Sequence, residues 1–129
     1  MSLQVLVVDD DPLCLRIAAR LLRGMGHGGA LATQGEKALH LLAEKSFDLM
    51  LLDINMPNGM SGQDTLMELR RREAPTGHRK LPALMLSGQH DDSTRTFFIQ
   101  IGADGFLTKP LDANALANEL DRLRSLGHF

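Results

Sequence analysis

Leu49-Met50-Leu51-Leu52 is an unbroken apolar run that ends on a carboxylate, Asp53, and is preceded by another, Asp48. Four consecutive apolar residues leave no side for solvent. The segment therefore suits a short strand covered on both faces, as in a parallel sheet packed between helices. Ile54-Asn55-Met56-Pro57-Asn58-Gly59 comes next, and its Pro, Asn and Gly mark a loop. Asp53 is thus placed where a buried strand opens into a crevice, the edge at which open α/β sheets bind ligands.

The remaining chain alternates strand and helix around that segment. Residues 3–8 read as strand one, ending in Asp9-Asp10-Asp11-Pro12, with Asp11 a suitable N-cap and Pro12 a suitable first helical residue. Helix one runs to about residue 25 and carries Leu13, Ile17, Ala18, Leu21 and Leu22 at helical spacing. Strand two, around 29–32, is weakened by Gly28-Gly29. Thr33 and Glu36 form a capping-box pattern that opens helix two, which ends near residue 45. Helix three starts after Ser61 and reaches about residue 72. A polar loop over 73–80 leads to strand four, 81–86, which ends in Ser87-Gly88. Helix four is expected over 92–101 and strand five over 105–108, followed by Lys109-Pro110. Helix five begins after Asp112 and presents Leu116, Leu120 and Leu123 on one side. This pattern predicts an α/β fold: a doubly wound, five-stranded parallel sheet with helices on both faces, formed by a single domain over 1–129.

Composition narrows the function. A chain of 129 residues can bury a real core, and its net charge of −2 gives no broad basic field, so direct nucleic-acid binding is not expected. No apolar run approaches the roughly 20 residues of a membrane span, and no signal peptide is visible. The single cysteine, Cys14, excludes an internal disulfide and fits a reducing compartment, so a cytoplasmic location is expected. Five histidines lack metal-ligand spacing and are assigned to the surface. Arg70-Arg71-Arg72 reads as a solvated helix end. In helix four, Phe97, Phe98, Ile99 and Ile101 exceed what one buried stripe can hold, so at least one is expected to face solvent.

The chemistry lies at the strand ends. Strand one offers Asp9, Asp10 and Asp11, strand three Asp53, strand four Ser87 and strand five Lys109. A sheet ordered 2-1-3-4-5 sets these ends side by side. Gathered carboxylates repel one another unless a cation is present, and Mg²⁺ prefers such oxygen ligands. A lysine and a hydroxyl facing the same ion suit an incoming phosphoryl group.

VLVVDDDP, LLDINMP, LMLSG and FLTKP, in this order and spacing, resemble the receiver domain of two-component response regulators across nearly the whole chain. The resemblance implies a flavodoxin-like fold and a phosphorelay role, with Asp53 as phosphoacceptor. It implies Mg²⁺, with Mn²⁺ as the alternative ion, held by the carboxylates of Asp10 and Asp53 and the Asn55 backbone carbonyl, with Asp9 acting mainly through water. Lys109 would contact the phosphoryl oxygens, before a Lys109-Pro110 bond that is usually cis in such domains. Ser87 would hydrogen-bond the phosphoryl group and, with Phe106 at the aromatic switch position, report its arrival. Lacking a hydroxyl, Phe106 is expected to make a softer switch than tyrosine would. The implied donor is a histidine kinase or histidine phosphotransfer domain, and the face of helix four, strand five and helix five is where a downstream partner or a homodimer would form. Two features depart from the family pattern: the loop 57–62 is one residue longer than usual, and Gly28-Gly29 replaces a β-favouring pair.

Other classes fit less well. A haloacid dehalogenase-like phosphatase shares Asp-x-Asp after a strand, but Pro12-Leu13 stands where a Gly-Thr-type continuation is wanted, and no acidic pair follows Lys109. A flavodoxin-like electron carrier needs a phosphate loop after strand one and Trp or Tyr to stack its flavin, and the chain has neither aromatic. A scaffold receiver unable to take a phosphoryl group would have lost some of its acids. Both a stand-alone regulator and the receiver of a hybrid sensor kinase remain compatible with the sequence.

Overall fold

Alternation of side chains along two wholly buried strands divides the apolar residues into two cores. The computed structural model describes residues 2–77 and 80–129; His78 and Arg79, part of the expected loop over 73–80, lie outside the described residues. Strands β1 (Gln4–Val8), β2 (Gly28–Ala32), β3 (Leu49–Asp53), β4 (Ala83–Ser87) and β5 (Gly105–Thr108) alternate with helices α1 (Pro12–Gly24), α2 (Gly35–Glu44), α3 (Gly62–Glu73), α4 (Asp92–Gln100) and α5 (Ala113–Ser125). All neighbours pair in parallel, in the order β2-β1-β3-β4-β5.

Every residue of β3 and β4 is buried. Met50, Leu52 and Met85 point to the side where Ala38 and Leu39 of α2, Leu66 and Leu69 of α3, and Phe98 of α4 pack. Leu49, Leu51 and Leu84 face Leu15, Ala18 and Leu22 of α1 and Leu116, Leu120 and Leu123 of α5. Burying each large aliphatic side chain stabilises the fold by about 1.5–3 kcal/mol before entropy is counted.

Local chemistry sets the element ends. Asp11, Ser61, Asp91 and Asp112 each cap a helix by accepting a backbone N–H. The expected capping box on α2 does not form. That helix starts at Gly35, after a Gln34 N-cap that makes no side-chain bond. The Glu36 carboxylate instead accepts from the Met60 N–H at 3.3 Å, so the loop after β3 has captured it. Strand β4 starts two residues later than expected, because Pro82 has no N–H to give the ladder. Its carbonyl still accepts from Met50 N–H at 2.9 Å. On α1 the buried stripe is Leu15, Ala18 and Leu22, while Leu13 is 59% exposed.

Strand two forms despite its glycines, and one of them is required. Gly29 has φ of +146°, and a Cβ there would collide with the Val5 carbonyl of the neighbouring strand. Arg70 is another correction. Rather than being solvated, its guanidinium donates to the Gly102 carbonyl at 2.9 and 3.1 Å and pairs with Glu73 and Asp104. Arg71 and Arg72 do face solvent, where they pair with Glu68. Of the four apolar residues singled out in and after α4, Phe97 and Ile99 are exposed and Phe98 is buried. The Lys109-Pro110 peptide bond is cis.

Candidate functional site

The carboxyl ends of β1 and β3 bring their acids together because the two strands pair directly, Val8 in register with Leu52. One oxygen from each of Asp9, Asp10 and Asp53 lies within 4.8 Å of the others. Asp9 is fully buried and Asp53 nearly so, whereas Asp10 is half-buried at the rim. Backbone donors fix two of the carboxylates: Asp9 Oδ1 accepts from Asp11 N–H at 2.9 Å, and Asp53 Oδ1 from Asn55 N–H at 3.2 Å. Gly62, the first residue of α3, lies so close to the end of β3 that a Cβ would strike the Asp53 carbonyl. Sequence reasoning missed that glycine, although its place just after the Ser61 cap was the available signal.

From the end of β5, on the far side of β4, Lys109 reaches across to the acids. Its Nζ lies 2.7 Å from Asp9 Oδ2 and 3.3 Å from Asp53 Oδ1. The shorter contact is a charge pairing set off the hydrogen-bonding directions, so the buried Asp9 Oδ2 has no directed hydrogen bond among the described residues. Burial works against the Lys109 charge, but the contact with Asp9 and the charges of Asp53 and Asp9 outweigh it and raise its pKa. Burial first, and the Asp9 charge second, push the Asp53 carboxyl up to about 6, although Lys109 pulls the other way. Three carboxylates thus face one ammonium, and the cluster is short of positive charge. Its donors are all oxygens, and the one cation touching them, Lys109, leaves negative charge uncompensated. A divalent cation such as Mg²⁺ fits that combination.

Ser87 ends β4 one residue past Leu86, which is in register with Asp53. Its buried hydroxyl donates to the Gln89 carbonyl at 2.6 Å. Its own carbonyl accepts from Lys109 N–H at 2.8 Å, tying the hydroxyl-bearing and lysine-bearing ends together. Phe106 is buried in the α3–α4 side of the core, in register with Met85 and facing away from the acids. Cys14 donates to Asp11 Oδ2 at 3.3 Å. Burial, then the Asp11 bond, push its thiol up to about 11, so it is no thiolate at neutral pH.

Three histidines depart from the expected surface placement. His27 is half-buried, and its Nδ1 accepts from Leu3 N–H at 3.0 Å. His90 stacks on Phe106. His128 is half-buried too, His40 is exposed, and His78 lies outside the described residues.

The family model described as "Response regulator receiver domain" matches residues 5–121. The transcriptional regulatory protein ZraR of Klebsiella oxytoca is 37% identical over 127 residues, 98% of this chain and 27% of that protein. The sensor protein GacS of Pseudomonas syringae pv. syringae is 33% identical over 88% of this chain and 12% of its own length. The chain therefore spans only about a quarter or less of these relatives. Among solved structures, the chemotaxis protein CheY4 of Vibrio cholerae superposes with a TM-score of 0.84 at 27% identity, covering 95% of this chain and 98% of that one. The receiver domain of NtrX from Brucella abortus gives 0.81 at 28% identity, covering 92% and 96%. Among the described residues, no helix is long and apolar enough to cross a membrane.

Proposed function

The chain belongs to the response regulator receiver domain family, regulatory modules of two-component signalling, and from that premise we propose that Asp53 is its phosphoacceptor. The observation that carries this is the partly buried cluster in which Asp9, Asp10, Asp53 and Lys109 meet at the ends of the strands. Residues 1–129 are read as one receiver unit. The donor is a histidine kinase or a histidine phosphotransfer domain, and the site works on the cytoplasmic side, where such donors act.

The Asp53 carboxylate attacks the phosphorus of a phosphohistidine in line with the departing nitrogen. A P–O bond forms as the P–N bond breaks, and the imidazole leaves with the electron pair of the broken bond. No proton has to leave Asp53, since the nucleophile is already the carboxylate. Asp9, Asp10 and Asp53, with the Asn55 backbone carbonyl, are the groups that would hold Mg²⁺, or Mn²⁺ in its place. When bound, the ion offsets the charge on the phosphoryl oxygens. Lys109 supplies the remaining positive charge from the opposite side. Its ammonium is held ready by Asp9 and turns toward the phosphoryl oxygens as they arrive. The Ser87 hydroxyl leaves the Gln89 carbonyl for a phosphoryl oxygen, and Phe106 then repacks. That movement remodels the face of α4, β5 and α5, where a downstream partner or second copy would read it. The phosphoryl group is lost to water by self-hydrolysis, with Asn55 and Gln89 the exposed amides at the mouth of the site.

Incubating the protein with acetyl phosphate and Mg²⁺ should add the mass of one phosphoryl group per chain, and chelation by EDTA should prevent it. Asp53→Asn should gain none. An equal gain by that variant, or turnover of a general phosphatase substrate, would refute the reading.

A further inference from the structure

Phe106 is walled in by side chains from one short stretch of chain. The His90 ring stacks on it with centroids 4.7 Å apart and planes 23° from parallel. The Arg95 guanidinium carbon lies 5.0 Å from the Phe106 ring centre, and Phe98 meets the ring edge-on at 6.3 Å. Arg95 Nη1 is 3.4 Å from His90 Nε2. Arginine can only donate, so Nε2 is the acceptor and the ring proton sits on Nδ1. That Nδ1 is buried and has no hydrogen-bond partner among the described residues. The ring is therefore held through Nε2 by the long contact with Arg95 and by its stack on Phe106, and not through Nδ1.

His90 is also connected to the phosphoryl site through the backbone. It directly follows Gln89, whose carbonyl takes the Ser87 hydroxyl at 2.6 Å. The bond that Ser87 must give up and the ring that covers Phe106 are therefore one peptide apart. We infer that His90 is a positioning residue: it holds Phe106 in the resting arrangement and relays the release of Ser87 to it. Once the Ser87 hydroxyl turns to a phosphoryl oxygen, the Gln89–His90 peptide loses its tether and the imidazole comes off the Phe106 face. This rests on the reading of Asp53 as phosphoacceptor. It adds a part that sequence spacing did not reveal.

Linkage gives the test. If the stack favours the resting arrangement, removing it shifts the free protein toward the bound arrangement and tightens a phosphoryl mimic by the same factor. Mere packing would lower stability and leave that affinity alone. The full chain as wild type, His90→Ala and His90→Phe should be titrated with beryllium fluoride and Mg²⁺, following backbone amide shifts by NMR. In the ligand-free His90→Ala protein, the β5 and α4 amides should move along the line joining the free and bound wild-type positions. Its affinity for the mimic should rise about fivefold or more. His90→Phe keeps the stack and should match wild type. If His90→Ala binds within about twofold of wild type, or His90→Phe behaves like His90→Ala, the role of His90 is refuted while Asp53 stands. If wild type itself fails to bind the mimic, both fall.

Discussion

Lys109→Met is expected to slow phosphorylation of Asp53 by about 10²–10³-fold, the cost of deleting one aligned charge from a transition state. The same change is expected to raise the affinity for Mg²⁺ several-fold. The two effects have opposite signs because Lys109 has two tasks. At rest its Nζ sits 2.7 Å from Asp9 and 3.3 Å from Asp53, competing with any cation for those oxygens. Among the described residues, it is the ammonium placed within 3.3 Å of Asp53 and so the one positioned to serve the transfer. A neutral side chain removes the competitor and leaves the acids more eager for a divalent ion, but it strips the phosphoryl oxygens of one counter-charge. Calorimetric titration with Mg²⁺ and the rate of mass gain from acetyl phosphate separate the two. A parallel fall in both would show that the variant had lost the site's shape and not one charge.

In the metal-free protein, the contribution of Asp53 to stability should fall as pH rises, in a window set by its own pKa. Burial and the Asp9 charge push that carboxyl up to about 6 in the folded chain, above its ordinary 3.8. Between those values the folded state holds a proton that the unfolded state has released. That contribution is therefore highest below the lower value, falls through the window and levels off above about 6. A shift of this size corresponds to something on the order of 2 kcal/mol once sharing with neighbouring charges is allowed for. Asp53→Asn has no such proton to lose. In EDTA, the melting temperatures of wild type and Asp53→Asn should be close at about pH 3.5, below the window. By pH 7.5 the variant should melt higher by roughly 5–10 °C. Saturating Mg²⁺ should close most of that gap, because the cation replaces the missing proton. A gap independent of pH would show that Asp53 is not strained in this way.

Much of this was legible in the sequence because burial and charge leave simple marks. The apolar run 49–52, closed by a Pro/Asn/Gly loop, suited a doubly covered strand, and β3 is buried at every position. Acids and lysine at successive strand ends could meet only if the strands lay parallel in this order, as they do. What escaped was set by contacts distant in sequence. Glu36 looked like half of a capping box until the Met60 N–H took it. Arg70 looked solvated because its partners, Gly102 and Asp104, lie over thirty positions away. Gly29 looked like a defect in β2, since sequence does not show how closely Val5 approaches. His90 carried no motif at all, and its stacking on Phe106 depends on the path of a loop.

The most direct test traps the acceptor chemically. Protein phosphorylated by acetyl phosphate with Mg²⁺, then reduced with borohydride, converts an aspartyl phosphate to homoserine, and peptide sequencing by mass spectrometry locates it. Homoserine at position 53 and nowhere else is the expected result. Homoserine at position 9 or 10, or a phosphoryl group that survives borohydride on a hydroxyl or imidazole, would contradict it.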